Sequence, residues 1–278
     1  LCPDCDRPLE RIQEESWFFK LSAFEQPLLD FYEAHPDFIQ PETRRNEVIS
    51  FVKGGLKDLS ISRSTFDWGV PFPFDEKHVA YVWVDALINY LSAVGYGAEG
   101  AEAAETLAYR WPAQCHVVGK DIIRFHCVIW PAMLMAAGMP ITHTVFGHGF
   151  LLTKGEKMSK SKGNGLMPAD LVRVFGVDAY RYYFMSDVTH GADSPISWGR
   201  MRQVYNADLA NSWGNLVSRT LNMSMKYFDG CAPARPANFD EPSPLRDACD
   251  GVFERYAACM ETMDYSGATA EVLKIVSA

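Results

Sequence analysis

Residues 155–164 carry the densest chemistry in this sequence: Gly155, Glu156, Lys157, Met158, Ser159, Lys160, Ser161, Lys162, Gly163 and Asn164. Three lysines fall within six residues, separated by hydroxyls and one methionine and bracketed by two glycines. Ammonium groups this close repel, and the glycines add backbone freedom that folding must then remove. The usual meaning of a basic run is a solvated loop. This run makes sense if an anion arrives to neutralise the lysines, and a polyphosphate is the obvious candidate.

The elements around the loop must place it beside a binding site. From Ser22 to Asp58 the apolar spacing predicts helices, one opened by Pro27 and closed before Pro36. A second is predicted over Glu42–Leu59, interrupted at Gly54-Gly55. Residues 64–77 read as a loop rich in Pro, Gly and Phe. His78–Val84 suits a strand, followed by a helix from Asp85 to about Tyr90. Cys115–Val118 predicts a strand stopped by Gly119, with a helix from Asp121 to about Ala137. Thr142–Phe146 predicts a third strand, stopped by Gly147. This alternation predicts a parallel α/β sheet. Ligands bind beyond the carboxyl ends of such strands, which directs attention to Trp83–Asp85, Gly119–Asp121 and Gly147–Gly149. Short helices are expected at Pro168–Phe175 and Asp178–Met185, and one long amphipathic helix over Met201–Phe228. Gly230–Pro244 reads as a linker, and Leu245–Met263 as a last helical stretch before another that stops at Ala278.

Composition sets limits. The 278 residues are 48% hydrophobic and 22% charged, ordinary for a globular protein with a sizeable core. No apolar run approaches the roughly 20 residues of a membrane span. A net charge of −9 argues against indiscriminate nucleic-acid binding without excluding a local basic patch. Seven cysteines, mostly in unpaired spacing, fit a reducing cytosol. Cys2 and Cys5 form half of a possible Zn2+ knuckle, two of the four ligands that a tetrahedral site needs. The first residues lack the features of a signal peptide and an initiator Met, so the chain reads as an internal piece of something longer.

The string K-M-S-K-S at 157–161 resembles the second signature of class I aminoacyl-tRNA synthetases. Further strings narrow the resemblance: Asn46-Glu47-Val48, Asp58 to Arg63, Tyr81-Val82-Trp83-Val84-Asp85-Ala86-Leu87, Val118-Gly119-Lys120-Asp121-Ile122, Phe125-His126 and Trp130-Pro131. Together they resemble the methionyl-tRNA synthetase family over nearly the whole chain. That resemblance implies the second half of a Rossmann-type parallel nucleotide-binding sheet at 22–150, behind a zinc-knuckle remnant at 1–21. It further implies a stem-contact domain carrying the lysine loop at 151–200, and the start of a helical anticodon-binding domain at 201–278. It implies activation of L-methionine by ATP, with Mg2+, and transfer to tRNA(Met).

The resemblance also implies roles. Lys160, assisted by Lys157, would stabilise phosphate charge in the transition state. Gly119, Asp121, His148, Met158, Ser159 and Ser161 would complete the ATP site, with Asp121 on the ribose hydroxyls. Trp83, Ala86, Leu87, Tyr90, Ile122, His126 and Trp130 would line the methionine pocket, where aromatic edges suit a polarisable thioether. Leu87 departs from relatives that carry Pro there. Ile122, His126 and Trp130 recur at four-residue spacing, hence on one helix face. Residue type alone would make Trp83, Ile122 and Trp130 plain core and His126 a satisfied buried histidine. Asn215 and Arg219, also four apart, match positions that read the anticodon. Ser62-Arg63 carries no assigned role.

The family's first signature, of His-x-Gly-His type, is absent from these residues. Residues 1–278 by themselves are therefore expected not to form adenylate. Two other functions stay open: a class I synthetase for leucine, isoleucine, valine or cysteine, and a non-catalytic tRNA-binding module.

Overall fold

A computed structural model describes residues 7–8, 13–158, 165–236 and 241–278. The chain divides into two compact units, Leu1–Gly147 and His148–Ala278.

The first unit opens with β1 (Phe18–Phe19) and a 3-10 turn, Leu21–Phe24, leading into α1 (Glu25–Ala34). Pro36 forbids helical geometry in the residue before it, so α1 ends there. After β2 (Ile39–Gln40), α2 (Glu42–Lys53) ends at Gly54, and Gly55 follows at φ +93°. The glycine pair thus stops this helix rather than interrupting it. The next residues form β3 (Leu59–Ser60), paired antiparallel with β1, and β4 (Ser62–Arg63). Then come β5 (Pro71–Phe72), β6 (Asp75–Ala80), α3 (Val82–Ser92), α4 (Ala101–Arg110), β7 (Cys115–Gly119), α5 (Trp130–Ala136) and β8 (Thr144–His148).

The parallel sheet is small, in the order β2-β8-β7, with β2 running parallel to β8 so that Ile39 faces Val145. Leu28, Tyr32, Val48, Val52, Ile123, Cys127 and Val128 pack into one buried cluster with Val118 and Val145 of its strands. The strand expected at His78–Val84 begins earlier, at Asp75, ends at Ala80, and belongs elsewhere. It lies antiparallel between β4 and β5 in a separate sheet. Trp83–Asp85 therefore occupies the first turn of α3, not the end of a parallel strand. The β-favouring run Val82-Trp83-Val84 yields to helix because Tyr81 is an extended cap and Val84, Leu87 and Leu91 then share one buried face.

Between β7 and α5 the expected single helix is broken into a 3-10 turn, Lys120–Ile122, and a π-helical turn, Phe125–Ile129. Pro131 accounts for the second. It has no N–H to give the Cys127 carbonyl four residues back, and its ring would clash there. The turn widens, Trp130 N–H reaches the Phe125 carbonyl instead, and the Tyr32 hydroxyl donates to the Cys127 oxygen at 2.6 Å. π turns of this kind recur at functional sites.

The second unit begins with β9 (Leu151–Thr153) and β10 (Glu156–Lys157), an antiparallel hairpin with Lys157 opposite Leu152. Lys154 and Gly155 form its turn at φ +55° and +82°, the double positive φ of a two-residue hairpin loop. Helices α6 (Pro168–Phe175) and α7 (Val177–Ser186) meet at Gly176, and β11 (Ser194–Pro195) adds parallel to β9. Gly149 sits where no other residue fits, since a Cβ there would stand 2.1 Å from the Ala192 backbone carbonyl. The expected long helix is α8 (Trp198–Val204), a π segment (Tyr205–Gly214) and α9 (Asn215–Phe228) in unbroken succession. Of its apolar stripe Val204 is buried, while Trp213, Leu216, Val217 and Leu221 stay exposed. The last expected helix is two, α10 (Pro244–Cys249) and α11 (Val252–Glu261), parted by Gly251 at φ +66°; α12 (Tyr265–Ser277) follows.

Candidate active site

Helix α3, the π turn and α5 bring the expected amino-acid pocket together within the first unit. Leu87, Leu91, Trp111, Trp130 and Leu134 form a buried cluster, with Tyr90 and Phe125 packed against it. Tyr90 is the hub. Its ring centroid lies 5.6 Å from that of His126, 6.3 Å from Trp130 and 4.2 Å from His116. Trp83 stacks on Phe125 at 3.9 Å, and Trp111 meets Trp130 edge-on at 6.0 Å. Ala86 and Ile122 are half-buried, Ala86 on α3 and Ile122 packed against the sheet core. The four-residue spacing of His126 and Trp130 crosses the π turn, so an α-helical face does not explain their meeting. The widened turn does bring both to Tyr90.

The Tyr90–His126 pair in this cage follows one logic, while His116 Nε2 and Trp130 Nε1 are buried with no hydrogen-bond partner among the described residues. His126 Nδ1 lies 3.1 Å from the Ile122 carbonyl, which only accepts, so Nδ1 carries the proton. Burial pulls the His126 pKa down, leaving the ring neutral and Nε2 an acceptor. The Tyr90 hydroxyl, 2.8 Å from Nε2, then donates to it. His116 is buried too, its pKa pushed down to about 4 by burial first and by His126 second. The cage is thus uncharged at neutral pH, a surrounding suited to an apolar, polarisable side chain.

Two expected nucleotide positions stand at strand ends of the parallel sheet: Gly119 closes β7, and Asp121 is exposed in the 3-10 turn that follows. Gly147 lies within β8, where a Cβ would press to 2.5 Å from Ile123. His148 ends that strand, exposed, with Nδ1 2.8 Å from the Gly149 carbonyl. In the second unit, Lys157 lies on the exposed arm of the hairpin with its Nζ 3.6 Å from the Phe150 ring centroid. Met158 turns inward against Leu171, Tyr183, Val188, Ile196, Met201 and Val204, and its sulfur accepts from Leu166 N–H at 3.4 Å. Its side chain is committed to the core, and its backbone N–H donates to the Leu151 carbonyl at 3.3 Å. Ser159, Lys160 and Ser161, like Cys2 and Cys5, lie outside the described residues.

Asn215 and Arg219 are exposed on α9 and line one groove of about 360 Å³ with Asn211, Ser212 and Met223 and with Val276 of α12. Among the described residues no group of three or more His, Cys, Asp or Glu is placed to hold a metal. None of their helices is long and apolar enough to cross a membrane.

Sequence reasoning missed His116, Phe125 and Trp111 as parts of the cage. A signal existed for two of them: Phe125 adjoins His126, and His116 alternates with Val118 on β7, placing both on the buried face.

Comparison with known proteins shows the family. The family described as tRNA synthetases class I (M) matches residues 2–221. The methionine–tRNA ligase of Caldanaerobacter subterraneus subsp. tengcongensis is 51% identical over 276 residues, spanning 99% of this chain and 43% of that protein. That of Streptomyces coelicolor is 50% identical over 277 residues, spanning 99% of this chain and 51% of its own. The crystal structure of Mycobacterium tuberculosis methionyl-tRNA synthetase bound by methionyl-adenylate superimposes with a TM-score of 0.88 at 45% identity, covering 95% of this chain and 51% of that one. The chain thus spans about half the length of the relatives it matches. It belongs to the methionine class of the class I tRNA synthetases.

Proposed function

We propose that the full-length protein is a methionine–tRNA ligase. ATP, entering with Mg2+, and L-methionine react to methionyl-adenylate and pyrophosphate, and the methionyl group passes to tRNA(Met). The observation that carries this reading is the uncharged aromatic cage around Tyr90, whose hydroxyl is held by neutral His126. Trp83, Ala86, Leu87, Tyr90, Ile122, His126 and Trp130 hold the methionine side chain. Gly119, with no side chain to obstruct a ligand, and Asp121 receive the nucleotide's ribose, and His148 adds a ring at the next strand end. Lys157 and Lys160 meet the phosphates, with Ser159 and Ser161 completing the cradle beside Met158. In-line phosphoryl chemistry asks little more of a protein than such positioning and charge.

The finer division of the chain follows from the same reading. Residues 151–200 form the stem-contact domain with the lysine hairpin, and 201–278 begin the anticodon-binding bundle. Asn215 and Arg219 there read the anticodon from their shared groove. Because the His-x-Gly-His signature lies outside this sequence, residues 1–278 alone do not turn over. Amino-acid-dependent exchange of pyrophosphate into ATP tests the reading on the full-length protein. Methionine should support exchange at least about 100-fold better than leucine, isoleucine, valine or cysteine, a margin that pocket contacts of this kind supply. Preference for one of those four would replace methionine as the substrate, and exchange with none would favour a non-catalytic tRNA-binding role.

A further inference from the structure

A circuit of hydrogen bonds, completed by one longer polar contact, joins Trp17, Ser62, His78 and Asp75, and nothing assigned above uses it. Ser62 and His78 are buried, at 0% and 2% exposure. The Trp17 backbone N–H donates to Ser62 Oγ at 2.8 Å, and that oxygen lies 2.9 Å from His78 Nδ1. His78 Nε2 faces Asp75 Oδ2 at 3.6 Å, and the Trp17 indole N–H donates to the same carboxylate oxygen at 3.0 Å. Of the two neutral tautomers, only the one protonated at Nε2 suits both contacts of the ring. Ser62, already accepting from Trp17, donates its hydroxyl proton to Nδ1, and Nε2 carries the N–H that faces the carboxylate. The opposite tautomer would set a ring lone pair against a carboxylate lone pair. The circuit therefore begins and ends on Trp17.

Its members sit where α3 is launched. Asp75 and His78 belong to β6, which pairs with Ser62 of β4 across from Ala80. Ile61 N–H donates to the Trp17 carbonyl at 2.9 Å, and the Ile61 carbonyl accepts from Tyr81 N–H at 2.8 Å. Tyr81 caps α3, and the Arg63 guanidinium covers its ring at 4.1 Å. Trp83, Leu87 and Tyr90 follow that cap directly. Strands β4 and β5 are only two residues long, so ladder bonds alone give β6 little to fix its register. Directional side-chain bonds supply that fixity where apolar packing would tolerate a slip. A buried Ser–His pair costs free energy unless bonded; here Ser62 Oγ and His78 Nδ1 meet at 2.9 Å and the Asp75 carboxylate faces Nε2.

We propose that the Trp17–Ser62–His78–Asp75 circuit is a positioning device for the amino-acid pocket, holding β4 and β6 in the register that aims Trp83 and Tyr90. The inference rests on the methionine reading above for its kinetic consequence, but not for its structural one. The test uses the full-length enzyme with His78→Leu, Trp17→Phe and Asp75→Asn. His78→Leu opens the circuit. Trp17→Phe removes the indole donor while keeping a ring against Phe74, and Asp75→Asn keeps an acceptor oxygen.

His78→Leu should raise the methionine KM about 5–20-fold, with the ATP KM and kcat within about twofold, the pattern of lost ground-state positioning. Amide hydrogen exchange over Val82–Tyr90 should quicken in the same variant. Trp17→Phe should move both readouts in the same direction by less, and Asp75→Asn least. Unchanged protection of α3 in both His78→Leu and Trp17→Phe would overturn the proposal. So would a loss shared equally by methionine KM, ATP KM and kcat, the pattern of general unfolding. If the wild-type enzyme selects another amino acid, the substrate reading fails while the exchange of α3 still judges the circuit.

Discussion

The Tyr90 cage and the lysine hairpin solve opposite problems. In the cage, His126 and Trp130 are 3% and 1% exposed, and every ionisable ring is held neutral by burial. Its selectivity is built from packing and one committed hydroxyl proton before any ligand arrives. On the hairpin, Lys154, Glu156 and Lys157 are exposed, while Leu151 and Met158 pack against the core. Charge there is kept in water, at low folding cost, for a polyanion to meet. On the proposed function, the difference makes amino-acid choice and phosphate chemistry separable: one is paid in buried structure, the other in surface charge. Substitutions in one region should leave the other's task largely intact.

The largest expected effect is on the hairpin side. Lys160→Ala should lower the exchange rate of the full-length enzyme about 10²–10³-fold, the size seen when one charge-stabilising donor is removed. Methionine binding without ATP should change little. An equal loss of methionine affinity would break the separation.

On the cage side, pH is a sharper tool. The His116 pKa lies at about 4 in the folded protein against an ordinary 6.5. Above pH 6.5 the ring is neutral in both states, so the native state loses nothing. As pH falls from 6.5 towards 4 the unfolded chain binds a proton that the buried ring refuses. Stability should decline through that window by up to about 3 kcal/mol. Denaturant unfolding between pH 7.5 and 4 should show His116→Phe with a smaller decline than the wild type. Parallel curves would place the ring's neutrality elsewhere.

His126→Ala comes next. It removes the acceptor of the Tyr90 hydroxyl, at about 1–3 kcal/mol. Methionine affinity should fall roughly 10–100-fold, with the ATP KM unchanged, as read by titration and exchange kinetics. The smallest effect is expected for Met158→Ala. This half-buried anchor should cost about 1–2 kcal/mol of stability in the second unit, less than a fully buried methionine. Methionine binding should be indifferent to it.

These regions also differ in how far the sequence disclosed them. The strand end at Gly119, the helices α6 and α7 meeting at Gly176, and Tyr90, His126 and Trp130 of the cage were readable from glycines, periodicity and motif. By contrast, β8 runs one residue past Gly147, and His116, Phe125 and Trp111 went unread. The π turn at Phe125–Ile129 was not readable either, because it depends on a long-range event: Tyr32 must lie close enough to donate to the Cys127 carbonyl that Pro131 leaves. Strand β6 was recognised as a strand but assigned to the wrong sheet, since antiparallel pairing with β4 and β5 is decided by partners and not by its own residues. On the hairpin, the glycines looked like sources of freedom. Gly155 instead serves a tight turn, where Lys154 also takes positive φ. The Trp17 circuit was invisible, as Trp17 and Asp75 stand 58 positions apart.

The most direct test of the division between cage and hairpin is calorimetric titration of L-methionine, without ATP, into the full-length protein and its Lys160→Ala and His126→Ala variants. The account predicts one saturable site per chain, unchanged within about twofold by Lys160→Ala and weakened at least about tenfold by His126→Ala. The reverse pattern, binding that survives His126→Ala and is lost in Lys160→Ala, would contradict it.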